Sequence, residues 1–546
     1  MSMEAQPVQA AGDPERRARE TRETRRLALA AALFAAALFA VVIGNGLALD
    51  DAPLIRENPF IRNLANVPRF FTSDYWEPRL EAGLYRPLVT TSYALNHAAG
   101  RLDPRGYHAL NLLLHAVNSA LVLLLLRRWT GQRALAAAAA FLFAAHAVHA
   151  EVLANIASGR PELMAALFFL LSLLCYRRAE DGQTQRRVSP LSLVCFGLAL
   201  LCKESAITLL AVLPLADAVF GQGEAASLRG ARRLWRQRAG VYAAYALVAL
   251  VYLGIRWLAL GGGETLPAQR DFDNPLLLLP AGWRMVNALH VALLYAGLLV
   301  WPLHLSYDYS YDQIPMIHSF GDPQLYAVLG LAALAVWGLV ASARRSRPVF
   351  FGIAFALVTF SVVSNLLLPI GTIMAERLLY LPSLGFCLAA AAGLGWLARR
   401  IQASPQGAAR AFVALSALLV ALHGARAIDR SLDWRSENGL YLHDLEVSPR
   451  SAKIQSNAGA AFAEMERHWE ALRCYATASA IAPDFAAPYR GSVLSLLALG
   501  RFPEAQAIYQ ETLRFGPPVP AVEEAIRLGL GRSGRGASGG AGGSSP

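Results

Sequence analysis

Two adjacent carboxylates, Asp50 and Asp51, stand at the end of the first long apolar run, residues 27–49. Neighbouring like charges raise one of the two pKa values, which suits a proton acceptor. Asp74 is a further acidic candidate in the same loop, with a capping role beside Tyr75 and Trp76 as its alternative. Cations recur in comparable places. Arg86 lies between Tyr85 and Pro87, Lys203 between two apolar stretches, and Arg377 follows Glu376 at the mouth of another. A guanidinium offers a fork that matches two phosphate oxygens, and an ammonium offers a point charge. The competing readings are a structural Glu376–Arg377 network and a lysine reaching for the interface. A base with such cations could take a proton from a hydroxyl while holding a departing phosphate. His146 and His149, three apart and followed by Glu151, have the spacing of ligands on one helical face. No third nitrogen ligand accompanies them, so hydrogen bonding to a phosphate or sugar is preferred to a divalent metal, and no metal site is assigned. Arg160, after Gly159, is expected on the same site. Asn111, His115 and Asn118 share a helical stripe and read as interhelical hydrogen bonds.

The elements that position these groups are apolar. Of 546 residues 55% are hydrophobic and the mean hydropathy is +0.36, too high for one soluble globule. The net charge of +11 sits in short Lys/Arg blocks between apolar runs, which is a topogenic pattern and sets nucleic acid aside. Cys175, Cys195, Cys202, Cys387 and Cys474 have neither metal nor disulfide spacing. No cleavable signal is apparent, since the first run is long enough to span and stay. The abundance of Ala, Arg and Leu hints at a bacterial genome, and hence at an inner membrane.

Basic blocks assign sides. With Arg16 to Arg26 inside, the first run exits and delivers Asp50 and Asp51 outside. Residues 107–126 then enter and end at Arg127-Arg128. Residues 134–148 exit, 162–176 return to Arg177-Arg178, 191–202 exit, and 205–220 return to an Arg-rich loop at 229–238. Residues 241–260 exit, 325–341 enter, 349–368 exit, 380–397 enter and 411–422 exit. Residues 285–301 break the parity and are read as re-entrant or buried without crossing, with a missed short span elsewhere as the alternative. The result is an all-α bundle of about 11 spans with the N-terminus inside. All the candidate site residues of the loops then lie at outer ends of spans. Ionisable groups at that depth mark function or pairing.

From Ala452 the chain is soluble in character. Gly459, Phe462, Ala471, Tyr475, Ala478 and Pro483 fall at the spacing of a tetratricopeptide repeat, and Ala505, Tyr509, Thr512 and Pro517 follow about one 34-residue period later. The expected divisions are a basic tail at 1–26, a membrane domain at 27–424 with an outer loop at 50–106, an outer-face helical domain at 425–530 with repeats at 452–485 and 486–519, and a disordered Gly/Ser-rich tail at 531–546.

The strings DDAPLIRENP, FFTSDYW, LYRPLVTTSYALN, YHALNLLLHAVN, HAVHAEVLANIASGRPELMA, LLCKESAITLL and LLLPIGTIMAERLLYLPSLGFC resemble, in the same order, blocks of the transmembrane and tetratricopeptide-repeat family of protein O-mannosyltransferases. The likeness runs from Leu47 to Pro517. It implies a membrane glycosyltransferase of the GT-C type, here a bacterial member with an inverting mechanism. The donor would be a polyprenyl-phosphate-linked sugar, mannose or related, and the acceptor a protein Ser/Thr or a glycan, with the repeats as a platform. In similar enzymes the acidic residue just after the first span is the base, which favours Asp50. This chain departs from the family in its few repeats and in Ala147, where a Pro is usual. A transporter or flippase, or a scaffold recruiting partners through the repeats, is the alternative. A transporter would place charges near the midplane and show internal repeats, and neither is visible.

Overall fold

The computed structural model describes residues 14–79, 82–176, 188–221, 228–262 and 272–538; these are helical, and no strand occurs among them. The membrane part contains α1 (Pro14–Leu38), α2 (Pro87–Gly100), α3 (Pro104–Thr130), α4 (Arg133–Ala145), α5 (Ile156–Cys175), α6 (Pro190–Cys202), α7 (Leu209–Phe220), α8 (Leu228–Ala259), α9 (Ala281–Val300), α10 (Pro323–Arg345), α11 (Arg347–Ser361), α12 (Pro382–Ile401) and α13 (Pro405–Asp433). The C-terminal arm contains α14 (Glu437–Val447), α15 (Ala452–Glu464), α16 (His468–Ile481), α17 (Ala486–Ala498), α18 (Phe502–Thr512) and α19 (Pro520–Ser538).

Local chemistry sets the helix ends. Asp103 caps α3 by accepting from Arg105 N, Pro104 takes the first position, and Gly131, at φ +69°, ends it in the left-handed region. Ser404 and Pro405 start α13 in the same way. Where α11 crosses α12, Gly352 and Gly385 let the backbones touch: a Cβ on Gly385 would lie 2.3 Å from the Gly352 carbonyl oxygen. The core lies where α3 packs on α1, α4 and α5.

By length and composition α3, α5, α8, α9, α10, α12 and α13 can cross a membrane, and α4 with residues 147–154, bent by 47°, makes an eighth if the pair is one span. Leu250, Trp257, Trp337 and Leu418 stand more than half exposed on these helices, as lipid-facing side chains do. The chain is a multi-pass membrane protein.

Several expected boundaries are corrected. The first apolar run is not one helix to residue 49, because α1 ends at Leu38 and a short turn at Ala40–Gly44 leads to extended chain. Residues 285–300 belong to an unbroken 20-residue helix, α9, long and apolar enough to cross, with a third of its most apolar window buried. Charge parity had demoted it, although nothing inside it breaks a helix. Helices α6, α7 and α11, at 13, 12 and 15 residues, fall short of a full crossing, so the count of about 11 is not reproduced by length. Helix α11 stops at Ser361 rather than 368, and α4 stops at Ala145. The Arg-rich stretch is helical from Leu228, and its Arg238 is buried against Asp217. The boundary at 424/425 falls inside α13, and α19 continues to Ser538 where a disordered tail was expected from 531. Arg177, Arg178 and residues 539–546 lie outside the described residues.

Helices α15 to α18 pack in succession, with the Tyr475 ring between Gly459 and Gly491; a Cβ on either would come within 2.6 Å of it. The arm is pinned to the membrane part. Arg430 of α13 grips Asp444 through two bonds of 2.6 and 2.9 Å. Ser451 donates to Asp308 at 2.6 Å, and Ala452 N donates to the Tyr311 carbonyl at 2.9 Å.

Candidate functional site

Asp50 and Asp51 follow a left-handed turn. Leu49 has φ +52°, a conformation that costs a branched residue about 1–3 kcal/mol and persists only where its surroundings enforce it. Asp51 is fully buried and its carboxylate is taken up by backbone: Oδ2 accepts from Ala48 N at 3.1 Å and Oδ1 from Ala157 N at 2.6 Å. Burial pushes its carboxyl up to about 7, against these hydrogen bonds and with the Asp50 charge adding to the rise. Asp50 is only half-buried, and its Oδ2 accepts from Ser158 Oγ at 2.6 Å. The two aspartates therefore differ in kind: one is an anchor and the other faces accessible space. The anchor point is the start of α5, where the Tyr75 hydroxyl also donates to the Ala157 carbonyl at 2.8 Å. Gly159 permits the chain to fold tightly here, since a Cβ would lie 1.9 Å from the Val152 carbonyl oxygen.

Three cations meet this loop, each backed by a carboxylate. Arg377 donates from its backbone N (2.8 Å) and Nη1 (2.5 Å) to the two oxygens of Glu151. Burial lowers its pKa, but Glu151, Asp50 and Glu162 together hold it above the ordinary arginine value, which places Asp50 within electrostatic reach. Arg86 forks onto Glu204 at 2.8 and 3.3 Å and lies over the Tyr75 ring at 5.3 Å. Burial opposes the Glu204 charge, yet Arg86 brings that carboxyl down to about 2. Lys203 pairs with Glu162, and burial lowers its pKa despite that partner. Arg86, Lys203 and Arg377, from three separate stretches of chain, all lie within electrostatic reach of Glu162, and Arg377 alone of them also within that of Asp50.

Other expected site residues are engaged elsewhere. Asp74 spends both oxygens on backbone, Oδ1 on Trp76 N at 2.8 Å and Oδ2 on Leu84 N at 3.0 Å, and so closes the 74–84 loop. Glu376 does not pair with Arg377. It is fully buried and accepts from Ser306 N at 2.6 Å and the Tyr309 hydroxyl at 2.8 Å. Burial raises its pKa, opposed by Arg430. Arg160 is a buried clasp that donates to Asn111, to Ser92 (3.0 Å), to Asn96 (3.1 Å) and to the Tyr107 carbonyl (2.9 Å), tying α2, α3 and α5 together. His146 and His149 are fully buried, one ring nitrogen of each lying 3.1 Å from the Leu299 carbonyl oxygen and 2.9 Å from Ser383 Oγ. Among the described residues no group of three or more His, Cys, Asp or Glu is placed to hold a metal. The stripe of Asn111, His115 and Asn118 makes interhelical bonds, His115 and Asn118 sharing the Tyr380 hydroxyl at 2.9 and 3.2 Å.

Sequence reasoning did not single out Ser158, Glu162, Glu437 or Lys453. Glu162, an acid in the second turn of an apolar helix, carried a signal in its desolvation cost. Lys453 of α15 pairs with Asp273 and stands 3.8 Å from Asp308. Burial lowers its pKa, but those aspartates, with a contribution from Asp50, hold it above the ordinary value. Glu437 of α14 accepts from Leu49 N at 3.0 Å.

Residues 263–336 match the family model described as protein O-mannosyl-transferase TMTC, DUF1736. The chain is 29% identical over 505 residues to the mouse protein O-mannosyl-transferase TMTC3, covering 88% of this chain and 54% of that protein. It is 32% identical over 474 residues to mouse protein O-mannosyl-transferase TMTC4, with 78% and 62% covered. Human protein O-mannosyl-transferase TMTC2 is 27% identical over 522 residues, with 81% and 61% covered. The chain therefore spans between half and two thirds of the length of these relatives. No solved structure matches it.

Proposed function

The chain belongs to the transmembrane and tetratricopeptide-repeat family of protein O-mannosyltransferases, and from that premise we propose that it moves mannose or a related sugar from a polyprenyl-phosphate donor to a hydroxyl, a protein Ser or Thr, at the extracytoplasmic face. The observation that carries the reading is the half-buried Asp50 carboxylate within electrostatic reach of Arg377, beside two further buffered cations. Asp50 acts as the base. The acceptor oxygen attacks the anomeric carbon, its proton passes to Asp50 Oδ, and the bond from that carbon to the phosphate oxygen breaks with inversion. The electron pair leaves on the lipid phosphate, and Arg377, Lys203 and Arg86 offset its growing charge. Each cation is held by a carboxylate, so it is oriented before the donor arrives. Asp51 anchors the loop and Asp74 shapes it, and Glu376, Arg160, His146 and His149 are support rather than donor ligands. In this reading the chain through α13 is the membrane domain, with the base on the outer loop, and the arm is the outer-face platform for the acceptor.

The test is transfer from a polyprenyl-phosphate mannose to a Ser/Thr peptide by purified protein. Asp50→Asn is expected to lower turnover by about 10²–10⁴-fold with unchanged unfolding. Arg377→Lys keeps the charge but loses the fork, and turnover should fall about 10²-fold. Turnover near that of the parent in Asp50→Asn would remove it as the base.

A further inference from the structure

Leu49 is one of four non-glycine residues at positive φ among the described residues, and it stands immediately before the proposed base. A glycine there would adopt the turn at no steric cost and could also leave it freely. A leucine adopts it only when held. Two of its holders come from the membrane part: Ala52 N donates to its carbonyl at 3.1 Å, and Asp51 ties the next turn to Ala48 and Ala157. The others come from the arm side. Glu437 Oε1 accepts from Leu49 N at 3.0 Å, and the Leu49 side chain packs against a buried cluster that includes Trp434, Leu440 and Ile454. Just upstream, Gly46 N donates to the Arg435 carbonyl at 3.3 Å, and Asn45 Nδ2 donates to the Ser431 carbonyl at 3.1 Å. Residues 45–49 are thus strapped to the end of α13 and the start of α14. Asp50 stands between the two sets of anchors, with Ser158 Oγ donating to its Oδ2.

We propose that Glu437 is a positioning residue for Asp50: docking of α14 sets the left-handed turn at Leu49 and aims the base, so the arm completes the catalytic site as well as meeting the acceptor. This rests on the assignment of Asp50 as the base. The Glu437 carboxylate accepts from Leu49 N and, at 3.5 Å, from the Tyr441 hydroxyl, both away from the proposed substrate. Its effect should therefore fall on the chemical step and not on substrate binding.

The experiment uses the full chain in detergent, with Glu437→Ala, Glu437→Gln and the parent. Glu437→Ala is expected to lower kcat by roughly 10–100-fold, the scale of an ångström-sized misplacement of a reacting group, with KM for a polyprenyl-phosphate mannose and for a Ser/Thr peptide unchanged. Hydrogen exchange read by mass spectrometry should show lost protection at residues 45–57, with protection of α15 to α18 kept. Glu437→Gln keeps an oxygen for Leu49 N and should restore both protection and most of kcat. Unchanged kcat and protection in Glu437→Ala, or an equal loss in Glu437→Gln, would overturn the proposal. If the parent protein transfers no sugar, the functional reading fails. The exchange measurement still decides the arm-dependent turn: unchanged protection at 45–57 in Glu437→Ala refutes it, and loss there alone supports it.

Discussion

Asp51 should make this protein less stable as pH rises through the acid range, the reverse of the usual carboxylate. A salt-bridged aspartate has a depressed folded pKa and stabilises the fold above it. Asp51 has no cationic partner in contact, and burial pushes it from an ordinary 3.8 up to about 7. The folded state then holds a proton that the unfolded chain has lost between those two values. Since the slope of stability with pH follows the protons bound in the unfolded state minus those in the folded state, stability falls as pH rises from about 4 to about 7 and levels off above. The full displacement corresponds to ~4 kcal/mol, undiscounted because the group is fully buried. Other groups titrate in the same window, so the informative quantity is the difference between the parent and Asp51→Asn. The asparagine is neutral throughout and can offer its single oxygen to only one of Ala48 N and Ala157 N, a constant penalty of about 1–3 kcal/mol. Unfolding in mixed micelles, followed by tryptophan fluorescence from pH 4 to 8, gives both curves. A difference that is flat, or that rises with pH between 4 and 7, would refute the assignment of Asp51 as a desolvated anchor.

Arg160→Lys should cost at least ~3 kcal/mol of unfolding free energy, because one ammonium cannot reach Asn111, Ser92, Asn96 and the Tyr107 carbonyl together; chemical unfolding of the variant measures it, and transfer per folded molecule should be retained. Gly385→Ala places a methyl 2.3 Å from the Gly352 carbonyl oxygen and should destabilise the α11–α12 crossing by about 1–3 kcal/mol, read as a lowered melting point. With α9 not counted as a crossing, a topology reporter inserted at Arg232 should be active in the cytoplasm and one fused after Gly531 outside, as the order of basic blocks predicts; both reporters on one side would mean that α9 crosses and would place the arm away from the proposed acceptor face.

Composition and periodicity alone were enough to establish an apolar, helical, multi-pass chain, because lipid solvation acts on each segment independently and twenty apolar residues read the same in any context. The helix starts at Asp103-Pro104 and Ser404-Pro405 lie ahead of the apolar runs read from 107 and 411, because capping residues are polar and fall outside the apolar stretch. The aspartate pair, Arg86, Lys203 and Arg377 could be named as ionisable groups at span ends for the same reason. Their roles could not be read there. Asp50 and Asp51 are chemically identical neighbours, and only the fold gives one of them Ala48 N and Ala157 N and leaves the other half-buried beside Ser158. Arg377 reads as a phosphate ligand, with a network to adjacent Glu376 as the competing reading, yet it pairs with Glu151 from far along the chain, while Glu376 turns to Ser306 and Tyr309. Arg160 reads as a ligand and is a clasp. The hold of Glu437 on Leu49 joins the two ends of the molecule and leaves no trace in either stretch of sequence. Pairing and burial decide what a charge does, and both are set by which distant segment arrives opposite it, which is a property of packing and not of the residue.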